Sequence, residues 1–184
     1  MTVLGIDPGK SGGLAVIDSN GQAHTWPMPP TLPDLWALFE RIRDQFGPVD
    51  VEMEDVSSSS QQGAKSIWTF SGNFHALRMA CVAMKWKTHR EKPLAILKAT
   101  GCHVTPKPLP PKAPKGASDE AKKAANKART KATNQKQRVQ KNRTRELMLE
   151  RWPHVKTNGT QGLTLKVADA LMIAEYGRAR RASA

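Results

Sequence analysis

The chain has little cysteine, and its two residues, Cys81 and Cys102, lack the spacing of a metal-binding or disulfide framework. Both are expected as free or buried thiols in a reducing compartment. No apolar run approaches the roughly 20 residues that cross a bilayer, so no membrane partner is expected. The N-terminus lacks a charged stretch followed by an apolar one, which predicts no signal peptide and a cytoplasmic chain. Acid is missing from one long stretch. Between positions 106 and 145, thirteen Lys and Arg face only Asp119 and Glu120.

That stretch carries +11 of a net charge of +13, so the rest of the 184 residues are nearly neutral. A concentrated positive charge of this size points to a polyanion, usually nucleic acid. Hydrophobic residues make up 39%, enough for a real core, and the length suits one domain over 1–184 with an appendage. The appendage is a basic, Pro/Lys-rich insertion over 106–134. Its first part, PKPLPPKAPKG, can be neither a helix interior nor a central strand and predicts an extended, flexible connection. From 117 onward helix formers dominate, with Ser118 as a candidate N-cap and Asp119 and Glu120 at the positive end of the helix dipole. The first half of this helix has no apolar residue larger than Ala. It is expected to stay solvated, or disordered until it meets an anion, with the ordered helix starting near Gln135.

Elsewhere, strands are predicted at 3–7, 12–17, 23–26, 49–56 and 86–89, the second and third joined by the turn Ser19-Asn20-Gly21. Apolar residues at 35, 38, 39, 42 and 46 mark a helix over 33–46, ended by Gly47-Pro48. A polar loop is expected at 57–62. Helices follow at 63–84, 93–100 and 167–178. Strands first and alternation afterwards imply an α/β fold, a mixed sheet flanked by helices.

Three acids stand at element ends or on apolar faces, where acids are costly without partners: Asp7, Glu54 and Asp169. If they converge, they need a hard divalent cation, and oxygen ligands suit Mg²⁺ or Mn²⁺. In a basic, DNA-seeking protein that means metal-assisted phosphodiester hydrolysis. Each acid also has a plainer reading. Asp7 can cap the Pro8-Gly9 turn. Glu52 and Glu54 share a strand face, so one of them should be solvated. Asp169 can cap its own helix.

GIDPG at 5–9, EDV at 54–56 and ADALMIA at 168–174 resemble the motifs of RuvC-type Holliday junction resolvases, in order and spacing, most closely the shorter bacteriophage members. The resemblance spans 1–101 and 135–177 and leaves the basic insertion outside. It implies a ribonuclease H-like fold with a mixed five-stranded sheet, a homodimer, and magnesium-dependent paired nicking of four-way junctions or other branched DNA. By motif, Asp7, Glu54 and Asp169 would be catalytic metal ligands, and helix 63–84 would form the dimer. Lys98 would stand near the scissile phosphate, and Lys136 or Lys141 would supply a second basic group. Lys10 follows the first motif and would lie near a phosphate.

The departure is Lys166, which stands three residues before Asp169 where the family commonly has an acid or a histidine. Positions i and i−3 share a helix face, and a protonated lysine cannot ligate a metal. Glu175 or Asp55 could substitute, or three carboxylates suffice and Lys166 binds phosphate. Otherwise the chain is a catalytically weak junction-binding protein on the same fold. A sugar-kinase-like ATPase, whose first strand also carries an Asp beside glycines, is disfavoured because such proteins need two such domains. The basic insertion, with Arg178, Arg180 and Arg181 as a smaller basic tail, is expected to add salt-sensitive, sequence-independent affinity. Trp68 and Phe70 read as dimer core or as platforms for an unpaired base.

Overall fold

The computed structural model describes residues 1–55 and 63–183. Val56 and the predicted loop 57–62 lie outside the described residues. The chain begins with an antiparallel meander, β1 (Val3–Asp7), β2 (Gly13–Ile17) and β3 (Ala23–Pro27). Helix α1 (Leu32–Phe46) returns the chain to β4 (Asp50–Glu54), which pairs with β1 in parallel. Helix α2 (Ala64–Ala83) leads to β5 (Thr88–Glu91), parallel to β4. Then come α3 (Pro93–Ala99), α4 (Asp119–Arg151), the two-residue strands β6 (Lys156–Thr157) and β7 (Thr160–Gln161), and α5 (Ala168–Ala182).

The sheet has seven strands in the order β5-β4-β1-β2-β3-β6-β7, not five. Strands β6 and β7 were illegible because two residues carry no periodicity. They form a tight hairpin through Asn158 and Gly159, both at positive φ, and dock on β3 beside Thr25. The fifth predicted strand lies two residues later than expected, at Thr88–Glu91.

Alternation along the strands divides the core in two. Leu4, Ile6, Leu14, Val16, Val51 and Met53 face α1 and α2. The opposite face takes α5, with Ile96 of α3 and Met148 of α4 packed beside it. Helix α5 lies very close to β1: a Cβ on Gly5 would stand 2.3 Å from the Ala174 backbone nitrogen. That contact explains the glycine of the opening motif. The helix N-cap is Val167, which leaves Asp169 in the first turn and Lys166 in the preceding bend.

Glu52 corrects the expectation that one acid of β4 is solvated, for it is fully buried and Glu54 is partly buried. The C-terminal end of α5 closes over it and supplies the counter-charges. Arg180 and Arg181 donate to Glu52 Oε2 at 3.3 and 3.1 Å, and His89 Nδ1 meets Oε1. A buried carboxylate is tolerable only when compensated in this way. Arg181 also pairs with Asp50 at 3.6 Å, and Arg178 pairs with Glu175. The three arginines read as a DNA-facing tail are therefore engaged within the fold.

Helix α4 starts at Asp119 and not near Gln135. Ser118 caps it as expected, accepting from the Ala121 amide at 3.3 Å. Its packed half, around Thr144 and Met148, anchors the helix. From there, a run of Ala and Lys extends it at little cost. At 1.5 Å per residue its 33 residues reach about 50 Å, and most of the first half is exposed. The Pro-rich connection is extended, and it lies along α4. Gln140 donates to the Cys102 carbonyl at 2.7 Å and accepts from the Val104 amide at 3.0 Å, while Arg129 donates to the Pro110 carbonyl. Both cysteines are buried free thiols.

Candidate active site

Asp7 ends β1 and Glu54 ends β4, and the parallel register, which pairs Ile6 with Met53, carries the two acids to the same sheet edge. Both belong to the face that α5 covers. Asp169, in the first turn of α5, arrives over that edge from above. Three acids far apart in sequence are thus brought together by one strand pair and one helix.

Asp7 is fixed by its own loop. Its Oδ1 accepts from the Gly9 amide at 3.1 Å, so the turn-capping role is real and coexists with membership of the cluster. A Cβ on Gly12 would stand 2.6 Å from the Asp7 carboxyl carbon. The second half of the loop therefore needs glycine to leave the carboxylate its place.

The three carboxyls feel one another. Burial pushes the Glu54 carboxyl up to about 8, and the charges of Asp7 and Asp169 add to the rise. Burial, then Asp7, raises Asp169 to about 6. Asp7 is also raised by burial, opposed by the Gly9 amide and by Lys141. The cation that answers all three is Lys141 of α4, whose Nζ lies 3.6 Å from Asp169 Oδ2.

Oxygen-only donors, buried and repelling one another, form a set that a hard divalent cation would relieve. In the arrangement seen, no three acid, His or Cys side chains among the described residues are gathered closely enough to grip one ion. Lys141 holds the counter-charge instead. The donors fit the cation by chemistry.

Glu54, Asp169 and Lys141 open into a groove of about 930 Å³ between α3, the connection 103–110 and α4. Lys136 lines it too, with Lys107 of the connection. The other lysines singled out from the sequence do not line it. Lys10 is exposed in the turn after β1, Lys98 is exposed on the last turn of α3, and Lys166 is exposed ahead of α5. Because Lys166 precedes the helix, the expected i−3 pairing with Asp169 on one helix face does not arise. Neither proposed substitute is free. Asp55 pairs with Arg90 at 3.1 Å and Glu175 with Arg178 at 3.0 Å. Glu91, which β5 sets opposite Glu54, is held by the Tyr176 hydroxyl at 3.2 Å.

Sequence reasoning missed the groove and its residues Leu94, His103 and Leu109. Leu109 was visible only as the one large apolar residue within the Pro/Lys run.

No family model and no curated protein matches the chain. Solved structures do. Thermus thermophilus RuvC in complex with Holliday junction substrate is 16% identical with a TM-score of 0.58, covering 98% of this chain and 96% of that one. A Thermus thermophilus RuvC structure is 17% identical with a TM-score of 0.56, covering 99% and 97%. The chain has the RuvC fold. It is a ribonuclease H-like α/β architecture, as expected, with a seven-stranded mixed sheet. The basic insertion does not interrupt the likeness, since nearly the whole of both chains is covered.

Proposed function

We propose that the chain is a divalent-metal-dependent endonuclease that nicks four-way junctions or other branched DNA. The observation that carries this reading is the meeting of Asp7, Glu54 and Asp169 at one sheet edge, open to a groove that Lys136 and Lys141 share. Asp7, Glu54 and Asp169 would hold the ion, Mg²⁺ or Mn²⁺. When bound, it would polarise water and offset charge on the phosphate. Lys141 and Lys136 bind the phosphate backbone at the same place. The Glu54 carboxyl, raised to about 8 by burial and by Asp7 and Asp169, would give up its proton when the cation binds. Lys98, Lys10 and Lys166, exposed outside the groove, take the flanking backbone.

A homodimer supplies the second site that paired nicks require. Its supporting feature is an apolar face shared by α1 and α2, where Leu32 (63% exposed) and Met79 (64%) line one shallow groove, and Trp68 stands 83% exposed nearer the start of α2. Exposed apolar surface of this kind marks an interaction site. Phe70 is half-buried and stacked on Phe74, so of the two aromatics only Trp68 is available to a partner.

The second reading, a junction-binding protein without cleavage, is favoured by Lys141, which pairs with Asp169 at 3.6 Å. Incubating the purified protein with a labelled four-way junction, with and without Mg²⁺, separates the two. Symmetric nicks that need Mg²⁺ support the nuclease. A shifted but uncut junction in Mg²⁺ and in Mn²⁺ supports the binder and refutes the nuclease.

A further inference from the structure

We propose that the groove beside the carboxylates is a single-strand site, taking an unpaired stretch of the DNA strand with its bases against Leu94, Leu109 and Val139 and its phosphates on Lys107, Lys136 and Lys141. This rests on the nuclease reading for the identity of the strand, and it adds what part of the substrate the site holds.

Three observations carry it. First, the groove's walls are aliphatic and wet. Leu94 is 51% exposed, Leu109 41% and Val139 42%, and all three line the same cleft. Large apolar side chains left side by side in water mark a surface awaiting a partner. Second, three lysines line the same cleft, and its far end is Glu54 and Asp169. Apolar walls alone would suit a greasy molecule, and lysines alone would suit the backbone of a duplex. A strand whose bases are unstacked offers both chemistries at nucleotide spacing. Third, about 930 Å³ is the size of cleft that encloses a small molecule. It has room for a few nucleotides.

The connection ahead of α4 shapes the groove. One wall is the connection 103–110, tied to α4 through Gln140 and Arg129. Where a branched substrate exposes an unpaired stretch, the groove would hold that strand with one phosphate at the carboxylates.

The test uses the full chain in EDTA, so that cleavage plays no part. Binding of a short fluorescein-labelled oligothymidylate and of a blunt duplex is followed by anisotropy for wild type and for Leu109→Ser/Val139→Ser. Both positions are exposed, and an unchanged thermal melt verifies the fold. The variant should lose about five-fold or more in affinity for the oligothymidylate, and less than about two-fold for the duplex. A second variant, Val139→Phe, should bind the oligothymidylate more tightly by adding a stacking face. Unchanged oligothymidylate binding in both variants, or equal losses for the two DNAs, would overturn the proposal. The two readings fail separately. Selective loss in EDTA with no junction cleavage in Mg²⁺ sinks the nuclease and keeps the groove, and cleavage with unselective loss does the reverse.

Discussion

Replacing Glu54 with Gln should flatten the fall in stability that the wild-type protein shows between about pH 6 and pH 8. The carboxyl has an ordinary value of 4.5 and stands at about 8 in the fold, raised first by burial and then by Asp7 and Asp169. A raised folded value means that the neutral form is favoured. Its contribution is complete below 4.5 and is lost as the pH climbs through about 8. Inside that window one proton is bound by the folded state and not by the unfolded chain, so stability drops by about 1.4 kcal/mol per pH unit. From about pH 6 to about pH 8 the wild type should therefore lose on the order of 2 to 3 kcal/mol more than Glu54→Gln, a large share of the ordinary 5 to 15 kcal/mol. Asp169, raised to about 6, adds a similar loss that is nearly complete before this window. Urea unfolding of both proteins in EDTA at several pH values gives the difference curve, in which titrating groups remote from Glu54 cancel. Adding Mg²⁺ should lift the wild type most at the alkaline end, where the carboxylates are already ionised. Parallel curves for the two proteins, or a wild type that gains stability from pH 6 to 8, would refute the reasoning.

Gly5→Ala should destabilise the fold by about 3 kcal/mol or more in thermal or urea unfolding, because the new Cβ meets the Ala174 backbone at 2.3 Å and backbone cannot step aside. Removing residues 106–133 takes away eight of the lysines and arginines; the plot of log affinity against log salt should become shallower, and an unchanged slope would refute a DNA-binding role for the insertion. Lys166→Ala should slow junction cleavage by less than about ten-fold, since the side chain is exposed outside the groove and meets phosphate at most.

What the sequence revealed follows from where its signals are strong. The apolar run GLAVI, the alternation in DVEME and the 3.6-residue spacing of α1 placed strands and a helix, and through them the sheet edge where Asp7 and Glu54 meet. Asp169 was legible because an acid among Ala, Leu, Met and Ile must have a reason. The lysines were harder. Lys141 and Lys136 could be set on a helix, but a solvated helix has no apolar face to fix which side meets the site. Lys98, Lys10 and Lys166 looked equivalent on paper, and the fold leaves them outside the groove. The i−3 argument about Lys166 needs a helix that begins at Lys166, two residues before α5 does. Glu52 misled for a different reason. Its counter-charges, Arg180 and Arg181, lie well over a hundred residues away in sequence, and no local pattern announces them. The length of α4 was underestimated because a helix without an apolar stripe looks unstable in isolation, whereas here it extends from a packed half.

The account stands most directly on Asp169, the one acid that the sheet does not carry. Wild type and Asp169→Asn should be compared on a labelled four-way junction, with cleavage followed in Mg²⁺ and binding followed by gel shift. Asparagine keeps the shape and removes the charge. The prediction is that Asp169→Asn still shifts the junction and makes no nicks, while the wild type nicks it in opposing strands. Equal cleavage by the two proteins would contradict the assignment of Asp7, Glu54 and Asp169 as the active site.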